Sequence, residues 1–211
     1  MKELMKKVQS VPENIQDLIE KRLTEFRSFK DRPNTDWFSE LCFCLLTANS
    51  RAKTALAIQS ELGFQGFTNH PEEQIMETIK RNKHRFHNNK ARYIVEARKH
   101  SNIKDFIQEL IDERGILEAR AWLAENINGL GYKEASHFLR NVGFDGLAIL
   151  DRHIINLMHE HNLIPIKPKS LKRADYLLIE QEFNKLAEHL GMTPAELDLN
   201  MWYLKAGEVL K

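Results

Sequence analysis

The sequence predicts an all-α protein built as two helical lobes, and three observations carry that prediction. Apolar residues recur at helical spacing through almost the whole chain. No segment sustains the two-residue alternation rich in Val, Ile and Thr that a sheet requires. The breaks between periodic segments are short turns marked by glycine or proline, none long enough for a disordered linker. At 211 residues the chain has room for one packed unit, with two small lobes sharing a single cleft across residues 1–211.

In chain order, the expected helices begin with residues 13–29, which stop at the break Asp31-Arg32-Pro33-Asn34. Asn34-Thr35-Asp36 offers a side-chain cap for residues 35–48. Within that helix, Cys42 and Cys44 point to different sides and cannot bridge each other, so they are expected as buried, reduced thiols. Residues 52–62 end at Gly63, and after the break from Gly63 to Pro71 a helix is expected over 71–80. Further helices are expected over residues 88–99, 103–111, 115–126 and 132–142, the last stopped by Gly143. After 151–161 comes a break from Leu163 to Ser170 with Pro165 and Pro168, then helix 171–190 ending at Gly191. Thr193-Pro194-Ala195-Glu196 is a capping box with proline in the first turn, opening helix 194–206.

No run of about 18 apolar residues is present. The N-terminus carries Glu3 and lacks an apolar signal region, so the expected setting is intracellular and cytoplasmic, without a membrane. A net charge of +1 does not by itself suggest nucleic acid. Locally the balance differs: Lys80 to His100 holds eight Lys or Arg residues against the single acid Glu96. A second basic cluster comprises Lys167, Lys169, Lys172 and Arg173. Such stripes are either solvated helix faces or phosphate tracks.

The chemistry concentrates after Asn126. A tight Gly129-Leu130-Gly131 turn leads into a helix whose first turn holds Lys133, and Asp151 follows 18 residues later. Glycines allow positive φ and close backbone approach. Amides at such a turn, beside the positive pole of a helix, form an anion site that suits one phosphate. Asp151, before Arg152-His153, also suits a helix N-cap.

Gly129-Leu-Gly-Tyr-Lys133 followed by Ala148-Ile-Leu-Asp-Arg-His153 resembles the helix-hairpin-helix DNA glycosylase superfamily. Glu40 to Asn49, His84-Arg85-Phe86, Gly131 to Gly143 and Glu196 to Leu204 narrow the resemblance to the type-2, largely archaeal, 8-oxoguanine DNA glycosylase/lyase family. That resemblance implies a helix-hairpin-helix motif at the cleft and a bifunctional repair enzyme, acting as a monomer on double-stranded DNA that contains 8-oxoguanine. Lys133 would attack the sugar, form a Schiff base and permit β-elimination, while Asp151 stabilises positive charge on the sugar.

The same resemblance implies that the flipped base lies against Phe86 and Trp202 and is read by Asp198 and the C-terminal Lys211. Trp37 and Trp122 are expected in the core. The turn Asn49-Ser50-Arg51 would enter the gap left by the base, although Ser50-Arg51-Ala52-Lys53 stands where a more glycine-rich continuation is expected. Arg85, Arg152 and the hairpin residues Asn128, Gly129, Leu130 and Gly131 would contact DNA. No cofactor and no side-chain metal site is implied, and there is no four-cysteine set for an iron–sulfur cluster. The backbone of Asn126, Gly129 and Gly131 could hold a monovalent cation. Two alternatives keep the fold: a glycosylase for oxidised pyrimidines, and a non-catalytic DNA-binding scaffold.

Overall fold

The computed structural model describes residues 1–168, 170–209 and 211; Lys169 of the second basic cluster lies outside them. Among the described residues there are twelve α-helices and no strand. They run α1 (Lys2–Gln9), α2 (Glu13–Arg27), α3 (Asn34–Thr47), α4 (Ala52–Asn69), α5 (Glu72–Arg81), α6 (His87–Ala97), α7 (Ile103–Arg114), α8 (Ile116–Asn126), α9 (Tyr132–Asn141), α10 (Arg152–Glu160), α11 (Arg173–Leu190) and α12 (Pro194–Ala206). No helix among the described residues is long and apolar enough to cross a membrane.

Three elements depart from expectation. Helix α1 was not among the expected elements, although Leu4 and Val8 bury one i, i+4 stripe. Helix α4 runs past Gly63, where the backbone breaks (φ 55°, ψ −175°) and a second helical segment continues to Asn69. The third concerns Asn34, which begins α3 instead of capping it; Pro33 holds the N-cap position. The Asn34 side chain serves another helix: its Oδ1 accepts the Lys104 amide at 2.8 Å and its Nδ2 donates to Asp105 Oδ2 at 2.8 Å. It thereby satisfies one of the orphan amides at the start of α7.

The chain divides into two compact units, Phe29–Val142 and Met1–Ser28 with Gly143–Lys211. In the first, α3 packs against α4, α6, α7 and α9. Ten of its residues are buried, so it is apolar on nearly every side, as a central helix must be. Cys42 and Cys44 are buried and unbridged, and burial pushes the Cys42 thiol well above its ordinary pKa. The buried Glu40 carboxylate accepts from Gln59 Nε2 and Asn141 Nδ2, both at 3.1 Å, and ties α3 to α4 and to the end of α9. A helix pinned at that end presents its other end in a fixed place.

In the second unit, α12 packs against α1, α2, α10 and α11. Ile19, Leu23 and Phe26 of α2 meet Ala195 and Leu199 of α12 in one apolar cluster closed by Val209. Thr193 Oγ1 accepts the Glu196 amide at 3.2 Å and Pro194 occupies the first helical position, as the sequence leads one to expect.

Candidate active site

The hairpin between α8 and α9 is built on the first unit. Ile127 and Leu130 are buried, and the Leu130 amide bonds the Ile127 carbonyl at 3.1 Å to close the turn. With its side chain buried, Leu130 can meet DNA only through its backbone. Gly129 has φ 92°, and an added Cβ would lie 2.4 Å from Tyr93 Cδ2 of α6. Gly131 does not use the positive φ that glycine allows: it is the extended N-cap of α9 with φ −103°. Its amide is engaged by Glu134 Oε2 at 3.2 Å, and its carbonyl accepts the Ala135 amide at 2.9 Å. Asn128 donates to Glu96 Oε2 at 2.8 Å, which anchors the exposed turn to α6.

Gly129→Ala should destabilise the protein by about 2 kcal/mol, because it combines a left-handed backbone with a clash against a ring. Gly131→Ala should cost much less, since its Cβ would approach only the flexible Glu134 Oε2, at 3.3 Å. Denaturant melts of the two variants check the contrast.

Lys133 sits in the first turn of α9 with its side chain 24% exposed, its Nζ 3.6 Å from Glu134 Oε1. Beneath α9, Arg120 is buried with its guanidinium 5.1 Å from the Tyr132 ring centroid and within 3.4 Å of Ser136 Oγ, bracing the same turn. Two neighbours of Lys133 escape the sequence reading. Glu134 is one, although an acid three residues after an N-cap is a capping signal in its own right.

Lys90 of α6 is the other. It counts among the basic residues of the 80–100 stripe, yet it is only 4% exposed and cannot serve as a phosphate track. Its ammonium lies 5.9 Å from the Tyr93 ring centroid. Burial lowers the Lys90 pKa to about 8, with Glu134 opposing the shift and Lys133 adding to it. A folded-state pKa below the unfolded value of about 10.4 means that folding expels a proton between those values. Stability therefore carries the full penalty below about pH 8 and rises as pH climbs toward 10.4. Lys90→Met should gain ~1–3 kcal/mol at pH 7 and lose the advantage above pH ~10.4, which paired thermal melts across that range measure.

In the second unit, Asp151 is the N-cap of α10, and one oxygen, Oδ1, accepts the amides of His153 and Ile154, both at 2.8 Å. Arg152 follows Asp151 and is exposed. The His153 ring meets Trp202 edge-on, with centroids 5.2 Å apart at 83°, so the first turn of α10 packs against the Trp202 ring. Trp202 Nε1 is buried with no hydrogen-bond partner among the described residues. Asp198 is buried inside α12, not at its cap, and Lys211 is half-buried.

Phe86 forms the N-cap of α6 and is 39% exposed, with the exposed Arg85 guanidinium 5.0 Å from its ring centroid. Asn49 has φ 60° and is exposed, and Ser50 closes the turn onto the Thr47 carbonyl at 3.1 Å. Arg51 is exposed at the N-cap of α4. In the basic stripe, Arg98 is turned inward to bond the carbonyls of Phe67 and His70, and Arg81 pairs with Glu61. Lys80, Lys83, Arg85, Arg92 and Lys99 are exposed, with Lys80 paired to Glu77 and Arg92 to Glu96 on their own helices. Trp37 is in the core as expected, whereas Trp122 is half-buried and packs on Phe106 (4.3 Å) and His100 (5.3 Å). Among the described residues no cluster of three or more His, Cys, Asp or Glu side chains could hold a metal ion.

Residues 19–192 match the family described as 8-oxoguanine DNA glycosylase. A Methanocaldococcus jannaschii protein named 8-oxoguanine DNA glycosylase/AP lyase is 47% identical over 209 residues, covering 99% of each chain. The solved structure of the glycosylase/lyase from that organism, in complex with a 15mer DNA containing 8-oxoguanine, is similar with a TM-score of 0.94 over 99% of each chain, at 47% identity. A trapped endonuclease III–DNA covalent intermediate matches at 18% identity and a TM-score of 0.57, covering 90% of this chain and 85% of that one, which is a likeness of fold alone.

Proposed function

The chain belongs to the 8-oxoguanine DNA glycosylase family, and from that premise we infer that it excises 8-oxoguanine from duplex DNA and cuts the strand at the resulting abasic site, with Lys133 as nucleophile and Asp151 as the charge-stabilising carboxylate. It is an enzyme, a DNA glycosylase and AP lyase. The observation that carries the mechanism is a lysine held in the first turn of the helix that leaves a glycine hairpin.

A paired base hides its glycosidic bond, so the nucleotide is first turned out of the stack. As the C1′–N9 bond breaks, positive charge grows on the sugar, and the Asp151 carboxylate stabilises it electrostatically. The neutral Lys133 amine bonds to C1′ while the base leaves with the bond's electron pair. Loss of a proton from the nitrogen and opening of the sugar ring give a protonated imine. Removal of a C2′ proton then expels the 3′ phosphate. Glu134, ion-paired with Lys133, is a carboxylate placed to accept the amine's proton.

Phe86 and Trp202 are the base-stacking rings; Asp198 and Lys211 read the base edge; Asn49, Ser50 and Arg51 enter the gap. Arg85, Arg152 and the hairpin backbone at Asn128 to Gly131 hold phosphates. On the same reading, residues 1–211 act as one glycosylase unit and as a monomer. A monovalent cation on the carbonyls of Asn126, Gly129 and Gly131 would orient the hairpin; Gly131 has one lone pair left for it, the other being taken by Ala135. No chemical step passes through that ion.

Release of free base from an 8-oxoguanine·cytosine duplex tests the substrate directly. The proposal requires 8-oxoguanine to be released in strong preference to oxidised pyrimidines. Release of the pyrimidines alone would move the activity to the endonuclease III type, and release of neither would leave a binding protein.

A further inference from the structure

We propose that His84 is a positioning residue for base excision, an imidazole strut that sets the Phe86 ring against the turn carrying Asn49 and Ser50. The inference rests on the proposed function, with Phe86 as a base-stacking ring. His84 is 3% exposed and succeeds Lys83, whose left-handed backbone (φ 60°) ends α5 and turns the chain inward. Both ring nitrogens are committed. Nε2 lies 2.9 Å from the carbonyl oxygen of Leu46, near the end of α3, and Nδ1 accepts the amide of Phe86 at 3.2 Å.

A carbonyl only accepts and an amide only donates, so these partners together demand one species: neutral imidazole with its proton on Nε2. Burial holds the imidazole below its ordinary pKa; the Leu46 bond opposes this, and the positive charges of Lys90, His87 and Arg85 reinforce it. Each end of the strut adjoins a piece of the DNA-facing surface. Three residues past Leu46 stands Asn49 with φ 60°, which begins the exposed turn. At the other end, Phe86 heads α6, its ring edge-on to His84 at 6.4 Å, 39% exposed and flanked by the Arg85 guanidinium at 5.0 Å. One buried ring therefore fixes the distance between a base-stacking side chain and a gap-filling turn.

The variants separate the two bonds. His84→Gln places an amide N–H near the Nε2 position for Leu46 and loses the acceptor for Phe86. His84→Asn keeps an acceptor near Nδ1 and loses the reach to Leu46. Each is assayed twice, on 8-oxoguanine duplex and on a duplex with a preformed abasic site, which has no base to stack. The expected result is a base-excision rate at least about 10-fold lower in His84→Gln, with abasic-site cleavage within about 2-fold of wild type and His84→Asn the milder of the two. A parallel fall in both activities, or no fall in either, overturns the proposal. Should neither variant fold, nitrogen-15 NMR of the wild-type ring decides: a proton on Nδ1, or a charged ring at neutral pH, overturns it and the Nε2–H tautomer supports it. If wild-type protein cleaves abasic DNA but releases no 8-oxoguanine, the proposed function itself fails first.

Discussion

Lys133→Gln is expected to abolish strand cleavage and lower base excision by about 10³-fold or more while leaving the fold and DNA binding intact. Glutamine keeps the length and most of the stem but has no amine to bond C1′. Its structural cost is small, because the ammonium is partly exposed and its ion pair with Glu134 spans 3.6 Å. A pair of that kind contributes ~0–1 kcal/mol. The hairpin would persist, since Gly129, the Gly131–Glu134 bond and the Asn128–Glu96 bond owe nothing to the lysine. Single-turnover excision and cleavage rates, measured beside a thermal melt and a DNA-binding titration, give all four quantities. Equal loss of rate and melting temperature would mean that Lys133 is structural.

Asp151→Asn should separate charge from capping. Asparagine caps a helix about as well as aspartate, so the bonds to the His153 and Ile154 amides survive and stability should change by less than ~1 kcal/mol. The negative charge proposed to steady the sugar is gone, and excision should fall by about 10²- to 10³-fold. Asp151→Ala should show the same loss of rate with an added ~1 kcal/mol of destabilisation from the missing cap. If Asp151→Asn excises at the wild-type rate, the carboxylate is only a cap.

The parts of this fold that were legible in the sequence are those written in short-range chemistry. Thr193-Pro194 and Asp151 cap their helices as their positions foretold, and Gly63, Gly143 and Gly191 interrupt or end helices where expected, each at positive φ. Helix α1 was missed because eight residues carry a single buried pair, too short a stripe to stand out. Asn34 resembled a local cap, but its side chain reaches a helix about seventy residues away, a partner that only the tertiary fold supplies. The site divides along the same line. Lys133, Asp151 and the glycine hairpin are contiguous motifs. Lys90 had the look of one more basic residue in a stripe, and His84 of a loop polar group. Their burial depends on α3 packing against α6 and on the hairpin meeting that helix, which spacing along the chain does not reveal.

The most direct measurement is borohydride trapping of wild-type protein on 8-oxoguanine duplex, with mass spectrometry of the peptide joined to DNA. Reduction fixes the imine on whichever amine formed it, and the mechanism requires that amine to be Lys133. An adduct on Lys90 or on the Met1 amine, or no adduct while base is still released, would contradict it.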